Sequence, residues 1–155
     1  MRHKILAALA LAIVAGCGPD DGAADFEKGE VAYAARDLQT AVVCYSAAAT
    51  KNPTNFTARI KLALANVDLG EIDAARSAID SAIAIDPTSA EARLLEGNIA
   101  YLAKDYVRAK KAFADVSSAG RLPRELRSKA MVSQAVLELT AAMFDRARVS
   151  LWRAV

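Results

Sequence analysis

Apolar and polar positions repeat along this chain with the period of a helix rather than that of a strand. Ala41, Ala75 and Ala109 are followed four residues later by Tyr45, Ile79 and Phe113, and three further on by Ala48, Ala82 and Val116. Spacings of four and three place each set on one stripe of a helix. Each such helix is preceded by another, as in Phe56 to Leu69 and Ala90 to Ala103, with a short polar link between them. The links Ala35-Arg36-Asp37-Leu38-Gln39-Thr40-Ala41, Leu69-Gly70-Glu71-Ile72-Asp73-Ala74-Ala75 and Ala103-Lys104-Asp105-Tyr106-Val107-Arg108-Ala109 align at a spacing of 34 residues, as do Pro53 and Pro87. Proline disfavours the helical conformation in the residue before it, so Asn52-Pro53 and Asp86-Pro87 read as stops. A fourth copy, Ala142-Met143-Phe144-Asp145-Arg146-Ala147, is shifted by four residues because Ser117 to Pro123 lengthens the link. Pro123 is expected to open its first helix, where a missing amide costs nothing. The pattern predicts helix pairs over about 23–55, 56–89, 90–122 and 123–155.

A 34-residue period of two helices closely resembles the tetratricopeptide repeat family. Gly29 and Gly97 match its small residue where two helices cross, and Ala41, Ala75 and Ala109 its helix-B alanine. The chain departs from the family at the helix-A aromatic, where Asp25, Arg59 and Arg93 stand, and at Ala63 in place of glycine. The resemblance covers roughly residues 23–155 and implies an all-α, right-handed superhelical solenoid of about four helix-turn-helix repeats.

In such arrays one face of each helix A forms a concave wall. The matching residues are Phe26, Glu30, Tyr33, Ile60, Leu64, Val67, Leu94, Asn98, Tyr101, Val132, Val136 and Leu139. That mostly apolar wall with a few polar anchors suits an amphipathic helix or an extended peptide, although several of its residues also read as packing between A helices. Relatives that bind chaperone tails clamp a terminal carboxylate with basic and amide side chains. The corresponding residues here are Phe26, Glu30, Lys61, Glu91 and Leu95, whose two acids would repel a carboxylate. The last expected helix, Asp145 to Val155, ends with Leu151, Trp152 and Val155 and no polar cap of the kind solenoids need. Self-association, a partner, or a longer array are the readings it leaves open.

Ahead of the repeats, Arg2, His3 and Lys4 precede the apolar run Ile5 to Ala15, the anatomy of a secretory signal. The run is shorter than the ~20 residues needed to span a bilayer. It ends Val14-Ala15-Gly16-Cys17, which resembles the lipobox of bacterial lipoproteins, where the Cys is diacylated and the chain is cut before it. The expected layout is a signal peptide over 1–16, a lipidated Cys17 with a linker over 17–22, and the repeat domain from 23 onward. Two or more acyl chains, at ~0.8 kcal/mol per buried CH₂, make such a tether stable. Gly18 is compatible with outer-membrane sorting, so the expected location is the bacterial cell envelope, lipid-anchored and facing the periplasm.

Composition narrows the chemistry. The chain holds 36 Ala against 34 Leu, Ile and Val together, which favours close-packed helices over sheets. Removal of the signal would take His3, the one histidine, and leave Cys44 as the remaining thiol. A Cys/His dyad, a Ser/His/Asp triad and a His/Cys zinc site then cannot be assembled. No glycine-rich phosphate cradle occurs. The carboxylate pairs Asp20/Asp21, Glu27/Glu30 and Glu71/Asp73 read as linker or solvated helix faces. No catalytic residue, metal or cofactor is therefore expected, and a carboxylate-based enzyme is the weakest reading.

The formal charge of +2 hides an asymmetry: residues 17–89 hold 11 acids and 6 bases, and residues 90–155 hold 7 acids and 12 bases. Lys104, Arg108, Lys110, Lys111, Arg121, Arg124, Arg127 and Lys129 concentrate the positive charge. They read either as a patch for an acidic partner, anionic polysaccharide or lipid headgroups, or as a solvated face. Nucleic acid is disfavoured, because the chain is exported and no aromatic stacking pattern accompanies the patch. These readings converge on a membrane-anchored scaffold that binds proteins in the envelope, as an assembly factor for a pilus, secretion, exopolysaccharide or outer-membrane machine. A self-assembling structural repeat protein is the competing reading.

Overall fold

The computed structural model describes residues 21–120 and 122–153, and within them the regular structure is helical throughout. Seven helices follow one another: α1 (Ala23–Ala34), α2 (Leu38–Lys51), α3 (Phe56–Leu69), α4 (Ile72–Ile85), α5 (Ala90–Leu102), α6 (Tyr106–Ser118) and α7 (Arg124–Arg153). The first six form three antiparallel pairs, α1/α2, α3/α4 and α5/α6, and each helix packs chiefly on its neighbours in sequence. Among the described residues no helix is long and apolar enough to cross a membrane.

Local chemistry sets the ends of these helices. Side-chain oxygens of Asp37, Asn55, Ser89 and Asp105 accept from the backbone N–H of Thr40, Ala58, Ala92 and Arg108 at 2.9–3.2 Å, each satisfying a donor that a helix start leaves orphaned. The turn inside each pair closes in the same way three times. The N–H of Asp37, Glu71 and Asp105 donates at 2.9 Å to the carbonyl of Ala32, Asn66 and Ala100. This closure puts the preceding residue in the left-handed region, with φ of 62° at Arg36, 82° at Gly70 and 62° at Lys104. Between pairs, Asn52 and Asp86 accept from both the N–H and the hydroxyl of Thr54 and Thr88, which fixes the chain at the prolines.

Small residues let the helices of a pair approach. A Cβ on Gly29 would lie 2.7 Å from the Tyr45 ring, and one on Gly97 would overlap the Phe113 ring. The second pair has Ala63 at this position, and there the facing residue is Ile79, which joins the same buried cluster. Ala41, Ala75 and Ala109 are fully buried. The buried clusters bridge successive pairs: Ala32, Ala41 and Tyr45 meet Ala65 of the second pair, Ile79 and Ala82 meet Leu95 and Ile99 of the third, and Phe113 and Val116 meet Ala130 and Leu137 of α7.

The end of the array departs from expectation. The fourth pair, expected over 123–155, is one unbroken helix of 30 residues. It starts directly after Pro123, as the sequence predicts, and Ala130 and Leu137 pack on the third pair as an A helix does. The expected second helix from Asp145 onward is a continuation of it. The alignment of Ala147 with Ala41 explains why. Ala142 falls where Arg36, Gly70 and Lys104 turn left-handed, and Met143 falls where Asp37, Glu71 and Asp105 stand. Alanine is the best helix former, and methionine has no oxygen to cap a new helix. Nothing at this link interrupts helical propagation.

Candidate functional site

Helices α1, α3, α5 and α7 carry the residues expected to form the wall. Ile60 and Leu94 are only 5% and 8% exposed and belong to the core, packed with helix-B residues of their own pairs. Leu64 and Val67 are half-buried against the same core as Ile60. Phe26 packs against Tyr45 with ring centroids 5.7 Å apart and the ring planes tilted by 51°. Glu30, Tyr33 and Tyr101 keep part of their surface open, and Asn98, Val132, Val136 and Leu139 are exposed.

At these positions polar links join the first pair to the second and the third pair to α7. The Tyr33 hydroxyl donates to Asp68 Oδ2 at 2.7 Å, and Arg36 reaches the same oxygen at 3.5 Å. The Tyr101 hydroxyl lies 3.1 Å from Thr140 Oγ1. The two links join equivalent positions, because Thr140 stands four residues beyond the place corresponding to Asp68, which is the shift of the fourth copy. Between them the equivalent positions hold apolar Val67 and Leu102. Glu30 accepts from the Tyr45 hydroxyl at 2.6 Å and pairs with Lys61 at 2.9 Å. That hydroxyl, and then Lys61, hold the Glu30 carboxyl below its ordinary range against the opposing effect of burial. Donation to Asp68 raises the Tyr33 hydroxyl correspondingly.

Asp68 and Thr140 were not among the residues expected in the wall; each lies one place beyond its tyrosine in the repeat register. Arg59 and Asp25, at the family's missing aromatic, act locally. Asp25 pairs with Lys51 at 2.6 Å, and Arg59 donates to the carbonyl of Pro53.

The basic residues do not act as a single patch. Arg108 is bound to Asp80 and to Glu96, which also holds Arg93, so it ties the second pair to the third. Lys129 pairs with Glu125 at 2.8 Å. Lys110 and Lys111 border a shallow apolar groove between α6 and α7 lined by Tyr106, Val107 and Leu137. Arg124 and Arg127 border another, beside Met131 and Val132. Lys104 is exposed in the left-handed turn of the third pair. Arg121, Cys17, the signal over 1–16 and most of the linker lie outside the described residues. Cys44 is a half-buried free thiol on α2. Among the described residues no group of three or more His, Cys, Asp or Glu side chains could hold a metal ion.

Residues 32–95 match the family model of the tetratricopeptide repeat. No curated protein sequence matches the chain. Among solved structures, the chain is similar to the tetratricopeptide domain of OM64 from Arabidopsis, with a TM-score of 0.69, 23% identity, and 78% of this chain and 97% of that one covered. It is also similar to the second such domain of human RPAP3, solved with an HSP70 peptide, with a TM-score of 0.68, 18% identity, and 78% and 98% covered. A type III secretion system complex from Aeromonas hydrophila gives a TM-score of 0.73 at 15% identity, with 86% and 91% covered. The helix pairs, their 34-residue register and these matches together give the chain a tetratricopeptide-repeat fold, with residues 32–95 carrying the sequence pattern of that family.

Proposed function

We propose that the chain is a lipid-anchored scaffold of the bacterial envelope whose A-helix wall holds a partner protein through an amphipathic helix or an extended peptide. The observation that carries this reading is the open strip of Tyr33, Asn98, Tyr101, Val132, Val136 and Leu139, where aromatic and aliphatic surface alternates with hydrogen-bonding groups. The human RPAP3 domain holds an HSP70 peptide, which supports peptide binding as a use of this fold. A carboxylate-terminated tail is a poor ligand for this chain, because Lys61 is already neutralised by Glu30. The lipobox-like Val14-Ala15-Gly16-Cys17 supports the anchor. The secretion-system likeness fits a role in assembling an envelope machine, whether for secretion, a pilus, exopolysaccharide export or outer-membrane insertion.

Tyr33→Ala combined with Tyr101→Ala is expected to abolish recovery of partners in pull-downs of the full chain from envelope extracts, with helical content by circular dichroism unchanged. Retention of every partner defeats the assignment of the wall. Cys17→Ser is expected to move the protein from the membrane to the soluble fraction and to eliminate acyl labelling. An unchanged membrane fraction rules out the anchor.

A further inference from the structure

Two open surfaces of the array, one on its first pair and one on its third, have matching chemistry. On the first, α1 turns a stripe of Ala24, Val31 and Ala35 to solvent, with Val31 71% exposed. By helical periodicity this stripe points away from Phe26, Glu30 and Tyr33, and Glu27 and Lys28 stand on its opposite edges. Both are exposed, and neither has an ion pair among the described residues. On the third, the groove between α6 and α7 has a floor of Tyr106, Ala114, Leu137 and Ala141 and a lip at Val107, which is 83% exposed. Exposed Lys110 and Lys111 border it on the α6 side, without an ion pair among the described residues. Glu138 borders it on the α7 side and accepts only from Gln134 of its own helix at 3.3 Å. The groove opens on the side of α7 opposite to Val132, Val136 and Leu139, so filling it leaves the wall free.

We propose that copies of the chain join head to tail, with α1 of one copy lying in the α6/α7 groove of the next. An acidic edge, an apolar stripe and a basic edge on α1 then meet a basic rim, an apolar floor and an acidic rim. Glu27 lies against Lys110 and Lys111 of the next copy, and Lys28 against its Glu138. The lengths agree as well, since Ala24 to Val31 and Val107 to Ala114 each span about 10 Å of helix. The opposed rims also select a helix over a lipid surface, because an anionic bilayer would repel Glu138 where it draws the lysines. The acidic excess of residues 17–89 and the basic excess of residues 90–155 steer the two ends together in the same sense. Two different surfaces meet, so the contact is heterologous. Each added copy leaves one stripe and one groove free, and the assembly does not stop at two.

The test uses the full chain in membranes, with Cys44→Ala as the parent and a bismaleimide that spans the groove as the cross-linker. One chain carries Val31→Cys, and a second, differently tagged chain carries Val107→Cys. Together they are expected to give a mixed dimer, while each alone gives no more than the parent. A chain with both cysteines should give a ladder of dimers, trimers and longer products. Lys110→Glu with Lys111→Glu is expected to reduce that ladder at least about tenfold with helical content unchanged, because like charges then face Glu27. Adding Glu27→Lys restores opposite signs and should bring the ladder back, a rescue that a misfolded variant would not show. The proposal is overturned if the mixed chains give no dimer, if Val31→Cys alone cross-links to itself, if the charge reversal leaves the ladder intact, or if Glu27→Lys fails to restore it.

Discussion

Phe113→Ala is expected to lower the stability of the array by about 3–5 kcal/mol, the usual cost of emptying a buried aromatic site. Phe113 is 1% exposed, and its ring fills the space left by Gly97 at the crossing of α5 and α6. It also belongs to the cluster that holds Ala130 and Leu137 of α7. A single truncation therefore loosens both the third pair and the docking of the long helix. Native domains have only about 5–15 kcal/mol of total stability, so the C-terminal part of the array should melt first and separately. Urea titration followed by circular dichroism measures the effect. A loss below about 1 kcal/mol would show that the crossing collapses around the gap instead of leaving a cavity.

The second large effect comes from filling that crossing. Gly97→Ala gains roughly 1 kcal/mol of helix propensity, yet it drives a methyl group into a ring that has no free side. Overpacking of this kind costs about 1–3 kcal/mol, so a net loss is expected. The second pair offers the remedy, since Ala63 there faces Ile79 rather than an aromatic ring. Combining Gly97→Ala with Phe113→Ile should recover stability relative to the sum of the two single changes. A double-mutant cycle measures this coupling, which is expected at about 0.5–3 kcal/mol and favourable in sign. Additive costs would mean that the residues adjust independently and that glycine is not required by the ring.

Much of this architecture is legible in the sequence, because repetition multiplies weak signals. One Ala-x-x-x-Tyr stripe says little, but three stripes at one spacing define helix pairs, their crossings and the residue that follows each turn. The fourth copy shows the limit of that reading. Ala147 preserves the packing signal of a helix B, whereas Ala142 and Met143 lack the left-handed and capping chemistry of a turn. Packing pattern and turn chemistry are separate signals, and the local one decides whether the chain reverses. The wall was legible as a set of positions but not as a surface. Ile60 and Leu94 sit on the expected face and are nonetheless taken into the core by their own B helices. The pairing of Tyr33 with Asp68 and of Tyr101 with Thr140 was not legible, because it joins residues 35 and 39 apart that carry no shared chemical signature.

These links have a mechanical consequence. Each pair touches chiefly its sequence neighbours, and a few polar bridges tie one pair to the next: Tyr33 and Arg36 to Asp68 and Glu30 to Lys61, then Arg108 to Asp80, then Tyr101 to Thr140. Rotations at such joints accumulate along a stack, so the span from Tyr33 to Leu139 behaves as a spring rather than a cast. A ligand that grips both ends of it sets the pitch of the coil, and the work of stretching or tightening the joints enters its affinity.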